Sequence, residues 1–228
     1  MARRVLVIGK PGTGKSTAMM SLEPSETFII NVEGKDLPFR GKGYSRIPSG
    51  QPPETGNIAV EHDPQLILKL LSFISTNRPE IKNIIIDDWQ YIAMHQFMSK
   101  ITDKGFDKFN KLGKDIVDIA SAPKGLREDL TVYYLSHQET FRNEITGEIE
   151  HKAKSFGKLV DNAVGGLEGL FSIVLFTDIE RGKEGINHTF ITQNDGTTTA
   201  KSPIGMFESF RIPNDYKLVN KSINNYYK

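Results

Sequence analysis

The chain has 228 residues, 38% hydrophobic and 25% charged, with 29 Lys and Arg against 28 Asp and Glu. That length suits one large domain or two small ones, the apolar content excludes wholesale disorder, and the charge balance excludes a global field that attracts polyanions, so nucleic-acid contact would need a local patch. With no cysteine, disulfides, thiolate metal sites and a cysteine nucleophile are all excluded. No apolar run approaches the ~20 residues that span a bilayer, and too few follow Met1-Ala2-Arg3-Arg4 for the ~7–15 of a signal-peptide core, so a cytoplasmic protein without a membrane partner is expected.

The run Val5-Leu6-Val7-Ile8 is short and β-branched and closes on Gly9, as a strand buried on both faces does. Thr27 to Val32 forms a second such run, ending at Glu33-Gly34, and residues 15–22 between them suit a crossover helix, giving one βαβ unit. Residues 36–60 carry Pro38, Pro48, Pro52 and Pro53 among several glycines and predict a long irregular loop. A helix over 63–76 follows, with Asp63-Pro64 as cap and first residue, then a strand at 83–87, helices at 89–101 and about 107–122, and a strand at 130–135. The runs at 171–176 and 186–191 flank a glycine turn and should pair antiparallel, while 145–149 predicts a hairpin tip. The Asn/Lys/Tyr-rich residues 214–228 predict a short helix or a loose tail, and 1–228 is expected to be a single domain.

Gly9-Lys10-Pro11-Gly12-Thr13-Gly14-Lys15-Ser16 fits the Walker A pattern, with a strand before it and a helix expected after it. Its glycines let successive N–H groups face a phosphate, and a helix N-terminus would add partial positive charge. A nucleoside triphosphate is therefore the expected ligand, held by Gly9, Pro11, Gly12, Thr13, Gly14, Lys15, Ser16 and Thr17, with Lys15 on the β- and γ-phosphates and the Ser16 hydroxyl on Mg²⁺. A metal-linked carboxylate belongs at the end of a neighbouring strand, where Asp87 follows Ile84-Ile85-Ile86. Two carboxylates compete to activate water: Asp88, next to Asp87, and Glu33, at the end of the second strand.

This order of motifs, with Ile8 to Thr17, Ile86-Asp87-Asp88-Trp89-Gln90-Tyr91, Leu135-Ser136-His137-Gln138-Glu139 and Gly196 to Pro203, resembles the phage-encoded RecA-like P-loop ATPases of the single-strand annealing and recombination type. The resemblance covers roughly residues 3–215 and implies an α/β fold: a RecA-like core with a mainly parallel sheet flanked by helices, and a C-terminal antiparallel hairpin. It implies Glu33 as the water-activating acid and Gln138 as the γ-phosphate sensor, with His137 able to share that task. It also implies self-assembly as a filament or ring in which Lys201 reaches a neighbour's triphosphate, Arg181 and Arg211 being the alternatives. The expected activity is ATP hydrolysis stimulated by single-stranded DNA, with a single-strand binding protein as a further partner. A nucleotide-switched interaction module, such as a loader or packaging accessory, is the competing reading.

Two segments could meet the strand. Residues 99–114 hold five lysines against two aspartates, with Lys104, Phe106, Lys108 and Phe109 interleaved as phosphate and base contacts require; an amphipathic helix with solvated lysines accounts for the same pattern. Residues 139–158 balance four cations against four glutamates, with Lys152 and Lys154 near the C-terminal end.

Overall fold

The computed structural model describes residues 1–102, 107–142, 144, 147–154, 157, 166–182 and 185–228, the side chains of Asp107 and Lys108 excepted. Among the described residues nine strands form the sheet: β1 (Arg3–Gly9), β2 (Thr27–Asn31), β3 (Ile58–Val60), β4 (Asn83–Asp87), β5 (Thr131–Arg142), β6 (Ile149–Ala153), β7 (Ile173–Gly182), β8 (Gly185–Ile191) and β9 (Arg211–Pro213). The order across the sheet is β3-β2-β4-β5-β1-β7-β8-β9, with β6 paired to β5. From β3 to β7 every pairing is parallel, whereas β8 and β9 run antiparallel and β6 folds back on the distal half of β5. This is the RecA-like arrangement, a mostly parallel sheet closed at one side by an antiparallel extension.

Alternation along β1 explains why its run is apolar throughout. Leu6 and Ile8 enter a core shared with α1 (Pro64–Asn77), α2 (Gln90–Ser99) and α3 (Asp107–Ser121), where Ile67, Trp89 and Ile116 are fully buried. Val5 and Val7 enter a second core with Met19 and α4 (Tyr216–Tyr226). A strand covered on both faces has no polar side to display. The predicted cap of α1 is present, Asp63 Oδ1 accepting from Gln65 N at 2.8 Å and Leu66 N at 3.0 Å.

Two expectations need correction. The crossover after the loop is not an α-helix but a 3₁₀ turn, Thr17–Ser21, which ends where Leu22 takes extended backbone ahead of Pro24. The loop over 36–60 contains β3, an edge strand whose short apolar run is masked by prolines and glycines. Of the two readings left open for residues 214–228, the helix is the one found: Asp215 caps α4, which buries Tyr216, Val219 and Ile223 at helical spacing. The 195–201 loop is tied to the sheet, Thr197 and Thr199 pairing with His151 and Lys201 pairing with Val174 through backbone hydrogen bonds. Among the described residues, no helix is long and apolar enough to cross a membrane.

Candidate nucleotide site

The loop from Gly9 to Ser16 leaves the C-terminal end of β1, two strands from β4, with β5 between them. Gly12 and Gly14 have φ of +77° and +105°, conformations that favour glycine. A Cβ at Gly9 would overlap Thr177 Oγ1, and one at Gly14 would stand 2.9 Å from Asn214 Oδ1. The loop is also held from the antiparallel side of the sheet. His188 Nδ1 lies 3.0 Å from Thr13 O, and Tyr216 donates its hydroxyl to Lys15 O at 2.8 Å.

Lys15 is buried and donates to Gly9 O at 2.8 Å and Lys10 O at 2.9 Å. Burial lowers its ammonium to about 8, even though Asp88 and Asp87 favour the charge. Pro11 and Gly12 form the exposed tip of the loop, and Thr17 opens the 3₁₀ turn behind it. Because that turn spans only five residues, an anion here would meet the loop N–H groups and Lys15 rather than a helix dipole.

Ser16 Oγ donates to Asp87 Oδ1 at 2.9 Å, bringing the two expected metal-linked residues together. Burial raises the Asp87 carboxyl to about 6, with Asp88 adding to the rise and the Ser16 hydrogen bond opposing it. Such an interior carboxylate gains from a divalent cation. Among the described residues no three His, Cys, Asp or Glu gather as a metal set. The Ser16–Asp87 pair therefore suits Mg²⁺, which takes few protein oxygens and completes its shell with phosphates and water.

Asp88 is the sole non-glycine residue with positive φ among those described, at +60°. Its carboxylate receives Lys35 Nζ at 2.7 Å and His137 Nε2 at 3.2 Å. Burial works against its charge, but the hydrogen bonds from His137 and Lys35 prevail and hold it at about 2. Lys35 also lies 5.2 Å from the Tyr91 ring centre, and Tyr91 meets His137 edge to face. Glu33 goes elsewhere: its Oε1 stands 2.6 Å from His95 Nε2, and the His95 ring stacks on His62.

His137 and Gln138 part company because successive strand residues point to opposite faces. His137, paired with Gly9, turns to Asp88, whereas the Gln138 amide meets His151 Nδ1 at 3.2 Å in the β5–β6 hairpin. Lys201 lies beside Val174, level with the middle of β1 rather than its loop end. Arg211 is engaged by Asp178 and Glu180. The residue overlooked in the sequence is Lys35; its signal was a cation just past the end of a strand next to the carboxylate strand.

Of the expected nucleic-acid residues, Lys104 and Phe106 lie outside the described residues, as does the side chain of Lys108. Phe109 and Lys154 both line a groove of about 270 Å³, together with Tyr91 and Phe97. Lys152 is paired with Glu139 at 3.1 Å and lies over the Phe141 ring.

A family profile described as an AAA domain matches residues 1–204, and the chain belongs to that family. Its fold and its loop are those of a P-loop ATPase. The solved structures similar to it include a KaiC-like protein from the hyperthermophilic archaeon Pyrococcus horikoshii, 13% identical, covering 88% of this chain and 82% of that one with a TM-score of 0.47. No curated protein matches the chain.

Proposed function

We propose that the protein is a Mg²⁺-dependent ATPase that engages single-stranded DNA, working as an assembly of its own copies in phage recombination, annealing or replication, with a single-strand binding protein as partner. The observation that carries the ATPase reading is the Ser16–Asp87 hydrogen bond beneath a glycine-rich loop whose lysine is buried beside it. When bound, Mg²⁺ would neutralise phosphate charge from Ser16 and Asp87. Lys15 binds the β- and γ-phosphates, and Asp88 orients the attacking water. Asp88 is preferred to Glu33 for that task because its charge, with that of Asp87, is felt at the loop lysine Lys15.

The DNA reading is supported by the groove that joins Phe109 to Lys154, one residue from each predicted segment. Aromatic rings for bases beside a cation for phosphate are what a single strand needs. The groove reaches Tyr91, which touches His137, so strand binding and the nucleotide site share a boundary. The test is ATP turnover with and without single-stranded DNA, with duplex DNA as control; stimulation by single strands alone is expected.

A second reading, a nucleotide-switched protein module, is favoured by Met94, Met98 and Ile101, which are 42%, 57% and 54% exposed along α2 and its end. An ATPase indifferent to DNA would move the assignment to it.

A further inference from the structure

Lys35 belongs to neither nucleotide motif, yet it completes a compact set of four charges, with Lys15, Asp87 and Asp88. Its backbone is fixed. Asn31 Nδ2 donates to Lys35 O at 2.6 Å, and Arg46 donates to Gly34 O and Lys35 O, each at 2.9 Å. Its side chain is 57% exposed, in contrast to Asp88 at 12%, so the cation can swing while its partner stays. Lys15 has no such freedom, being buried against two loop carbonyls.

The four side chains sum to zero charge. A nucleoside triphosphate with its Mg²⁺ adds a net charge of about −2, concentrated at the terminal phosphate. Moving one ammonium from a carboxylate to a phosphate exchanges one charge-assisted hydrogen bond for another, so a small preference suffices to drive it.

We propose that Lys35 is a γ-phosphate ligand acting within its own chain, which leaves Asp88 for the terminal phosphate of a bound triphosphate and so frees that carboxylate for water. A diphosphate lacks the group that draws Lys35 away, and the ion pair stays closed. With the pair open, the water oxygen bonds to the γ-phosphorus as the bond to the β,γ-bridging oxygen breaks; ADP leaves, and the water proton passes by way of Asp88 to the phosphate product. His137 remains on Asp88 throughout and keeps the carboxylate, set by its positive φ, in place.

This inference rests on the ATPase reading, and one set of measurements separates the two. Affinities for Mg²⁺–ADP and for a non-hydrolysable Mg²⁺–ATP analogue are measured by calorimetry on the wild type, Lys35→Met, Lys35→Arg and Lys15→Ala, together with kcat and KM for ATP. Lys35→Met is expected to bind the analogue about tenfold more weakly or worse while holding ADP within about twofold, and to lose kcat, with Lys35→Arg recovering part of the triphosphate preference. Equal loss of both nucleotides would show a merely structural lysine, and unchanged discrimination or a raised kcat would show a brake; each overturns the proposal. Binding of neither nucleotide by the wild type, or unaltered binding in Lys15→Ala, overturns the ATPase reading and this inference with it.

Discussion

The Ser16 hydroxyl donates to Asp87 Oδ1 at 2.9 Å, joining the end of the glycine-rich loop to the end of β4 across 71 residues of sequence. The parallel registers of β1 with β5 and of β5 with β4 bring Gly9 and Asp87 to the same edge of the sheet on either side of β5, so the loop and both aspartates open there.

If that pair holds Mg²⁺, Ser16→Ala and Asp87→Asn should each lower kcat by about 10²-fold or more. The loss should be specific to the metal. Nucleotide binding measured in EDTA should change by less than about threefold, and an equal loss with and without Mg²⁺ would contradict the assignment.

Asp87 also sets a pH dependence of stability. Its carboxyl is raised to about 6 in the folded protein against about 3.8 in the open chain, so the folded state binds the proton more tightly. The stability it contributes is present at low pH and is lost as pH rises from about 4 through 6. Asp87→Asn should therefore stabilise the nucleotide-free protein at pH 7.5 by about 1–2 kcal/mol, with no gain at pH 4. Urea unfolding at the two pH values measures this, and an equal or reversed effect would count against it.

The two candidate carboxylates separate by substitution. Asp88→Asn should reduce kcat by about 10²-fold or more with little change in KM, whereas Glu33→Gln should stay within about fivefold of wild type. The reverse ranking would assign water activation to Glu33.

How much of this was legible depended on the signal. The strands around Ile8, Ile30 and Ile86 are buried on both faces, and continuous β-branched runs announce that without knowledge of their neighbours. The loop motif and the Asp63 cap are local chemistry and were equally plain. What failed was what needed register or context: Gln138 and His137 are adjacent in sequence, but only strand pairing decides which faces Asp88. The three residues of β3 sit among prolines and depend on pairing with β2, and the apolar stripe of α4, diluted by asparagine and lysine, leaves helix and tail both open until its packing is seen. Lys35 reaches Asp88 through the fold alone, 53 residues away.

Because Tyr216 bonds the carbonyl of Lys15 and is wholly buried against Tyr133 and Phe190, the C-terminal helix supports the loop. Tyr216→Phe should cost about 1 kcal/mol and weaken nucleotide binding several-fold, and Tyr216→Ala should cost about 3–5 kcal/mol. Chemical denaturation gives the first quantity and calorimetry the second. A neutral Tyr216→Ala would show the loop to be independent of α4.

If the groove beside α2 carries the strand, Phe109→Ala and Lys154→Ala should each weaken single-stranded DNA binding by about fivefold or more while leaving ATP turnover without DNA within twofold. Fluorescence anisotropy with a labelled oligonucleotide reads this, with a steep salt dependence expected. Unchanged affinity in both variants would place the strand elsewhere.

The most direct test of the account is Mg²⁺–ATP turnover by the wild type and Lys15→Ala, each with and without single-stranded DNA. The account predicts turnover in the wild type that rises with single strands and not with duplex, and a fall of at least about 10²-fold in the variant under every condition. Absence of turnover, or turnover that survives the loss of Lys15, would contradict it.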